Sequence, residues 1–181
     1  MNRIDFLQGF LRSPLEVGSV IPSSRFMVNK VMNRVREVEP KSVVELGAGT
    51  GVFTRELDKH CGQASSFMVF EKDETMKKKL EDSFPHRSIY ADALDLPNIL
   101  QQQNHGKVDC IVCGLPFTLF PKAKTEEMFE KIYDSLADDG TFIMYQYTTH
   151  MKQRLQNLFG QVTTRYVLLN IPPTFVFFCK K

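Results

Sequence analysis

Glu45-Leu46-Gly47-Ala48-Gly49-Thr50-Gly51 follows directly on a β-rich run that begins at Ser42, and three glycines alternating with single residues at such a place admit few continuations. A glycine-rich turn between a strand and a helix lets the backbone approach a bound group closely at the helix N-terminus. From residue 41 onward short β-rich runs alternate with helical patterns. Candidate strands are Ser42–Leu46, Phe67–Phe70, Ser88–Tyr90, Val108–Cys113, Thr141–Gln146, Tyr166–Leu169 and Thr174–Cys179. Helical spacing or charge marks Thr54–His60, Thr75–Asp82 and Lys124–Leu136, the last with Phe129, Ile132, Tyr133 and Leu136 on one face. Strand, helix, strand repetition predicts an α/β fold whose parallel sheet is covered on both faces. Only Asn170 to Pro173 separates the last two runs, too few residues for a crossover helix, so they are expected to pair antiparallel.

Two helical patterns precede the first strand. In one, Ile4, Leu7 and Leu11 recur on one face beside Phe6 and Phe10, with Arg3 and Arg12 at its ends. In the other, Ser23 or Ser24 caps a helix whose Met27, Val28, Val31, Met32, Val35 and Val38 keep the 3.6 period until Pro40. The expected division is therefore a helical N-terminal segment over residues 1–40 and a domain over residues 41–181. Charge follows the same division. Residues 1–36 hold six bases and two acids and residues 152–181 five bases and no acid, so a chain total of +2 leaves −7 for the centre. At 181 residues and 43% hydrophobic content, the composition excludes a disordered tail or a disulfide scaffold. No apolar run is long enough to span a bilayer, and Asp5 and Arg12 interrupt any signal-peptide core, so a cytoplasmic location is expected. Cys110 and Cys113 fall three apart on a predicted strand and should face opposite sides, which speaks against a shared metal or redox site.

Two ligand classes use a glycine turn of this kind. A dinucleotide fold wants G-x-G-x-x-G/A, which from Gly47 demands Gly or Ala where this chain has Val52. The G-x-G-x-G spacing behind Glu45 instead resembles motif I of the class I methyltransferases, which bind S-adenosylmethionine. Glu71, at the end of the second strand, and Asp92, in Tyr90-Ala91-Asp92-Ala93-Leu94 after the third, agree with that resemblance. It implies a cofactor site of Glu45, Gly47, Ala48, Gly49, Gly51, Glu71, Lys72, Asp92, Ala93 and Gly114, with Glu71 on the ribose hydroxyls and Asp92 near the adenine amine. It also implies a Rossmann-like seven-stranded sheet of order 3-2-1-4-5-7-6 with the last strand antiparallel, and no metal.

The fourth strand runs into Cys113-Gly114-Leu115-Pro116-Phe117. Class I enzymes that methylate adenine N6 place Asn or Asp at the position of Gly114, because a conjugated amine needs a side-chain acceptor and a carbonyl to draw out its lone pair. Gly114 offers none, which suits an aliphatic amine. Phe6-Leu7-x-x-Phe10-Leu11-Arg12-x-Pro14, Val17-Gly18-Ser19-Val20-x-Pro22-Ser23-Ser24, Gly114-Leu115-Pro116-Phe117 and Asn170-x-Pro172-Pro173-x-Phe175-Val176 together resemble the bacterial phospholipid N-methyltransferases. That resemblance implies methylation of a head-group amine such as that of phosphatidylethanolamine, at a membrane surface contacted through residues 1–25.

Under the same reading, Gly114, Leu115, Pro116, Phe117 and Tyr147 attend the reaction, and Ser23, Ser24, Arg25 and Phe120 attend the lipid, with Arg25 on its phosphate. Tyr145 and His150 stand beside Tyr147 as further candidates for receiving a proton or walling the ammonium. Methylation of RNA adenine is the alternative, with the basic ends on phosphates, and a cofactor-binding module without transfer is a third reading.

Overall fold

The computed structural model describes residues 23–61 and 66–181. The amphipathic segment of Arg3, Phe6, Leu7, Phe10, Leu11 and Arg12, and the connector through Pro22, lie outside the described residues. The described chain runs α1 (Arg25–Val38), β1 (Ser42–Leu46), α2 (Val52–Cys61), β2 (Ser66–Phe70), α3 (Glu74–Ser83), β3 (Ser88–Tyr90) and α4 (Leu96–Gln102). It continues through β4 (Val108–Cys113), α5 (Lys122–Ser135), β5 (Leu136–Gln146), α6 (Lys152–Leu158), β6 (Gln161–Val167) and β7 (Thr174–Lys180).

The strands form one seven-stranded sheet in the order β3-β2-β1-β4-β5-β7-β6. Strands β1 to β5 run parallel to one another, and β7 runs antiparallel to both β5 and β6. The sheet order and the antiparallel closing pair are those expected. Alternate residues of each strand feed two cores. Val43, Phe67, Val69, Val112 and Ile143 meet α1, α2 and α3 on one face, while Val44, Met68, Phe70, Ile111 and Phe142 meet α4, α5 and α6 on the other. Cys110 belongs to the first core and Cys113 to the second, as their spacing on β4 requires.

Helix α1 shows how local sequence fixes an element. The Ser24 Oγ accepts the Met27 N–H at 3.3 Å as an N-cap, which stabilises the start by about 1 kcal/mol. Met27, Val28, Val31, Met32 and Val35 bury one stripe against the sheet. At the other end Pro40 disfavours helical backbone at Glu39, which turns to φ +48° while its N–H caps the Val35 carbonyl.

Three expectations need correction. The sixth strand is Gln161–Val167, not Tyr166–Leu169, and Leu168 and Leu169 belong to the following turn. β6 ends the sheet, and Gln161, Thr163 and Arg165 expose one face, so it carries little of the apolar signal that marks interior strands. Strand β5 begins at Leu136, and only its Thr141–Gln146 part shows the expected β-rich pattern. Helices α4 and α6 were not expected, since each has seven residues and at most two buried ones, Leu96 and Leu100 in α4 and Leu155 in α6. Among the described residues no helix is long and apolar enough to cross a membrane.

Candidate functional site

In a parallel sheet the strand C-termini and the loops that leave them form one rim, and ligands bind there. At this rim the ends of β1 to β4 are tied by backbone bonds. The Gly47 and Ala48 N–H groups donate to the Phe70 carbonyl at 2.8 and 3.1 Å, the Gly114 N–H to the Leu46 carbonyl at 2.8 Å, and the Glu71 N–H to the Tyr90 carbonyl at 2.9 Å. Gly47, Gly49 and Gly51 all take positive φ, which is what allows the turn from β1 into α2. A Cβ on Gly51 would stand 2.8 Å from the Leu80 side chain, whereas one on Gly49 would meet nothing within 4 Å. Gly49 therefore borders open space on the outer side of the loop.

Three carboxylates surround that loop. Glu71 accepts the Gly49 N–H at 2.7 Å and the Asp73 N–H at 2.9 Å, so the glycine loop and the end of β2 are held as one unit. Asp92 accepts the Leu94 N–H at 3.0 Å and pairs with the Lys72 ammonium at 3.2 Å. Burial would raise its pKa, but the Leu94 N–H and the cations of Lys72 and Lys124 prevail and hold it below the usual value. Ala93 is buried beneath it.

Glu45 is different. It is 1% exposed, and neither carboxylate oxygen has a hydrogen-bond partner among the described residues. Burial pushes its pKa up to about 8; the Thr54 hydroxyl nearby offsets part of the rise and the Glu71 carboxylate adds to it. An orphaned buried carboxyl beside an open glycine loop has the chemistry to receive a cation. The set Glu45, Gly49, Glu71 and Asp92 thus fits a cationic, hydroxyl-bearing cofactor such as S-adenosylmethionine.

The next stretch of the rim is built by side chains from distant parts of the chain. A Cβ on Gly114 would lie 2.1 Å from the Tyr145 hydroxyl oxygen and 2.6 Å from the ring carbon that bears it. The phenol of β5 thus occupies the place where a residue other than glycine at 114 would put its side chain. Its ring stacks on Phe53 of α2 at 4.9 Å, which fixes the hydroxyl between the glycine turn and the loop after β4. Burial, with the carboxyl of Glu45 next in effect, pushes the Tyr145 phenol well above its ordinary value, so it stays neutral. The Gln146 side-chain amide donates to the Leu115 carbonyl at 2.7 Å and pins the same loop from below.

The other expected residues distribute as follows. Phe117 is 1% exposed and stacks on Phe129 at 4.6 Å, so its ring lies in the core and carries Phe120 edge-on at 5.7 Å. Phe120 is partly buried, with the Lys124 ammonium 4.9 Å from its ring centre. Tyr147 and His150 are exposed beyond β5, and partial desolvation of the Tyr147 phenol raises its pKa. Ser23, Ser24 and Arg25 open α1, where the Ser24 N–H donates to Asn170 Oδ1 at 2.9 Å and the Arg25 guanidinium lies 5.2 Å from the Phe26 ring centre. The residues expected at the cofactor gather at the ends of β1 to β3, with Gly114 beside them after β4, and Ser23 to Arg25 stand against the β6–β7 turn.

Sequence reasoning named Tyr145 only as one of three residues after the fifth strand. The roles of Phe53, Gln146 and Asn170 escaped it. The available signal was Gly114 itself, since a residue without a side chain on a buried loop leaves a volume that a neighbour must fill.

Residues 43–140 match the family model described as "Methyltransferase domain". The chain is 30% identical over 180 residues, 97% of its own length and 94% of the other, to an ornithine lipid N-methyltransferase of Singulisphaera acidiphila. An O-methyltransferase of Bacillus cereus, solved in complex with SAH, superposes with a TM-score of 0.71 at 12% identity, over 99% of this chain and 90% of that one. An S-adenosylmethionine-dependent O-methyltransferase of Thermotoga maritima gives 0.64 at 15% identity, over 100% of this chain and 71% of that one. These two likenesses show the fold; the family model covers more than half of the chain and the relative nearly all of it, and on that ground the chain belongs to the class I S-adenosylmethionine-dependent methyltransferases.

Proposed function

We infer that this enzyme methylates the primary amine of a lipid head group. The observation that carries the reading is the loop at Gly114, where the Tyr145 hydroxyl stands in the place of a side chain and the Leu115 carbonyl already accepts from Gln146. An adenine amine needs two free acceptors to disengage its lone pair from the ring, whereas an aliphatic amine has its lone pair available once it is deprotonated. The ornithine lipid N-methyltransferase to which the chain is similar supports the lipid class. Phosphatidylethanolamine and an ornithine-bearing lipid share the required group, a primary aliphatic amine on a lipid.

Bound S-adenosylmethionine supplies the electrophilic methyl. Glu45 is suited to the cofactor's cationic end, Glu71 to its ribose and Asp92 with Ala93 to its adenine, while Lys72 holds Asp92 in place. Tyr145, neutral in this setting, accepts an N–H of the substrate amine and aims the lone pair at the methyl carbon. The chain's contribution is orientation and water exclusion rather than acid chemistry. Phe120 lines the approach, Phe117 supports it from the core, and Ser23, Ser24 and Arg25 receive the lipid phosphate. Tyr147 walls the methylated ammonium.

The test is transfer from labelled S-adenosylmethionine to vesicles containing phosphatidylethanolamine, to vesicles containing ornithine lipid, or to rRNA. Label is expected in lipid; label in RNA with none in either lipid overturns the reading.

A further inference from the structure

The turn between β6 and β7 reverses the usual pattern. Asn170, the polar residue at its centre, is 4% exposed, whereas Leu168, Leu169 and Ile171 are 68%, 62% and 53% exposed. The reversal is built in. The Asn170 amide donates at 2.8 Å to the Pro172 carbonyl and at 2.8 Å to the Thr174 hydroxyl, while its oxygen accepts the Ser24 N–H at 2.9 Å. Holding Asn170 inward displays its three apolar neighbours outward, in a protein whose turns would ordinarily show polar side chains to water.

The position of this turn matters as much as its composition. Gln146, the last residue of β5, pairs with Phe175, and Phe175 pairs with Tyr166, so the turn projects from the same rim as the glycine loop and Gly114. The other exposed large hydrophobics among the described residues, Phe26, Leu119, Tyr147 and Tyr166, lie at the start of α1 beside the turn, after β4, after β5 and near the end of β6. All are therefore on that rim and on its β4 to β6 half.

Charge divides along the same line. Residues 152–181 contain no acid, and Arg25, Arg165 and Lys122 lie next to or within three positions of exposed apolar residues, the Arg25 guanidinium 5.2 Å from the Phe26 ring centre. The rim carboxylates Glu71, Asp73 and Asp92 sit beyond β1, at the ends of β2 and β3. Exposed apolar side chains flanked by bases suit the interface of an anionic bilayer.

We propose that this half of the rim, centred on Leu168, Leu169 and Ile171, is a membrane-docking surface that enters the interfacial layer of a bilayer containing anionic lipid. Docked in this way, the rim that carries the loop at Gly114 faces the head groups, and an amine reaches it while its acyl chains stay in the bilayer. The proposal rests on the lipid-amine reading above, and vesicle binding separates the two because it is read without any methyl transfer.

The chain has no tryptophan, so Leu169→Trp in the full-length protein introduces a single reporter. On adding vesicles of phosphatidylcholine and phosphatidylglycerol its emission should shift to the blue and be quenched by brominated acyl chains; unchanged emission overturns the proposal. In flotation with the same vesicles, Leu168→Glu combined with Leu169→Glu should weaken binding by at least about tenfold. Transfer to a monomeric short-chain aminolipid should remain unchanged. Undiminished flotation overturns the docking surface, and doubly so with a lower melting temperature, which marks residues 1–22 as the cover, or with loss of a dimer, which marks a second copy. Turn-dependent flotation in an enzyme that labels RNA and no lipid supports the surface and removes the lipid-amine reading instead.

Discussion

The two halves of the rim are assembled by different means. Around β1 to β3 the carboxylates are held largely by backbone N–H groups close to them in the fold: Gly49 and Asp73 on Glu71, Leu94 on Asp92. Around β4 to β7 the key contacts join a side chain to backbone far from it in sequence: Tyr145 over Gly114, Gln146 on the Leu115 carbonyl, Asn170 on the Ser24 N–H. On the proposed function, the first half would hold the cofactor through groups tied to the backbone, and in the second half the acceptor would be set by what the neighbouring strands lend to a loop without a side chain at Gly114. One fold can keep its cofactor while changing its acceptor because the two tasks are built from separable contacts.

Substitutions should separate the halves in the same way. The largest effect is expected for Gly49→Val, whose side chain enters the open space beside the loop and strains a residue at φ +55°. Calorimetry should find no cofactor binding while the folded circular dichroism spectrum remains. Gly114→Ala forces a methyl against the Tyr145 hydroxyl, and it should cut lipid methylation more than about a hundredfold by displacing the reacting groups. The same overpacking should lower stability by about 1–3 kcal/mol, read in urea melts. Comparable losses of cofactor affinity in this variant would show that the halves are coupled after all.

Removing only the hydroxyl, in Tyr145→Phe, should lower kcat by about tenfold, the worth of one net hydrogen bond, with the cofactor Kd unchanged. A fall in cofactor affinity instead would move Tyr145 into the other half of the rim.

Glu45 gives the smallest and most condition-dependent effect. The folded protein keeps a proton on it up to about pH 8, whereas the unfolded chain has released that proton above its ordinary value of 4.5. The folded state then binds more protons across that window, so ligand-free stability falls as pH rises from 4.5 toward 8. Glu45→Gln removes this slope: its melting temperature should exceed that of the parent progressively as pH approaches 8 in differential scanning calorimetry. Cofactor affinity of the parent should rise with pH over the same range, since a cationic partner favours the ionised carboxyl, and the variant should lose that dependence in titrations.

Legibility in the sequence follows the same division. The glycine loop, Glu71 and Asp92 sit at strand ends that composition already marks, and the short link Asn170–Pro173 already requires an antiparallel pair. Edge strand β6 was misplaced because its outward face is polar, and the apolar Leu168 and Leu169 that attracted the strand reading are solvent-exposed turn residues. Helices α4 and α6 escaped because so few buried residues carry no period. Nothing in the residues near Gly114 or Asn170 announces their partners, 31 positions away in the case of Leu115 and Gln146 and 146 in the case of Ser24 and Asn170.

By itself the sequence determined the doubly covered sheet, its strand order through the resemblance, and the cofactor loop, because hydrophobic period, turn chemistry and glycine placement act over a few residues. Only the tertiary structure decided that Glu45 is buried with no hydrogen-bond partner on either oxygen among the described residues, that Tyr145 fills the place left by Gly114, and that the exposed apolar residues share one rim. Burial and close approach depend on which strands become neighbours in the sheet, and that adjacency joins residues whose separation along the chain carries no local signal.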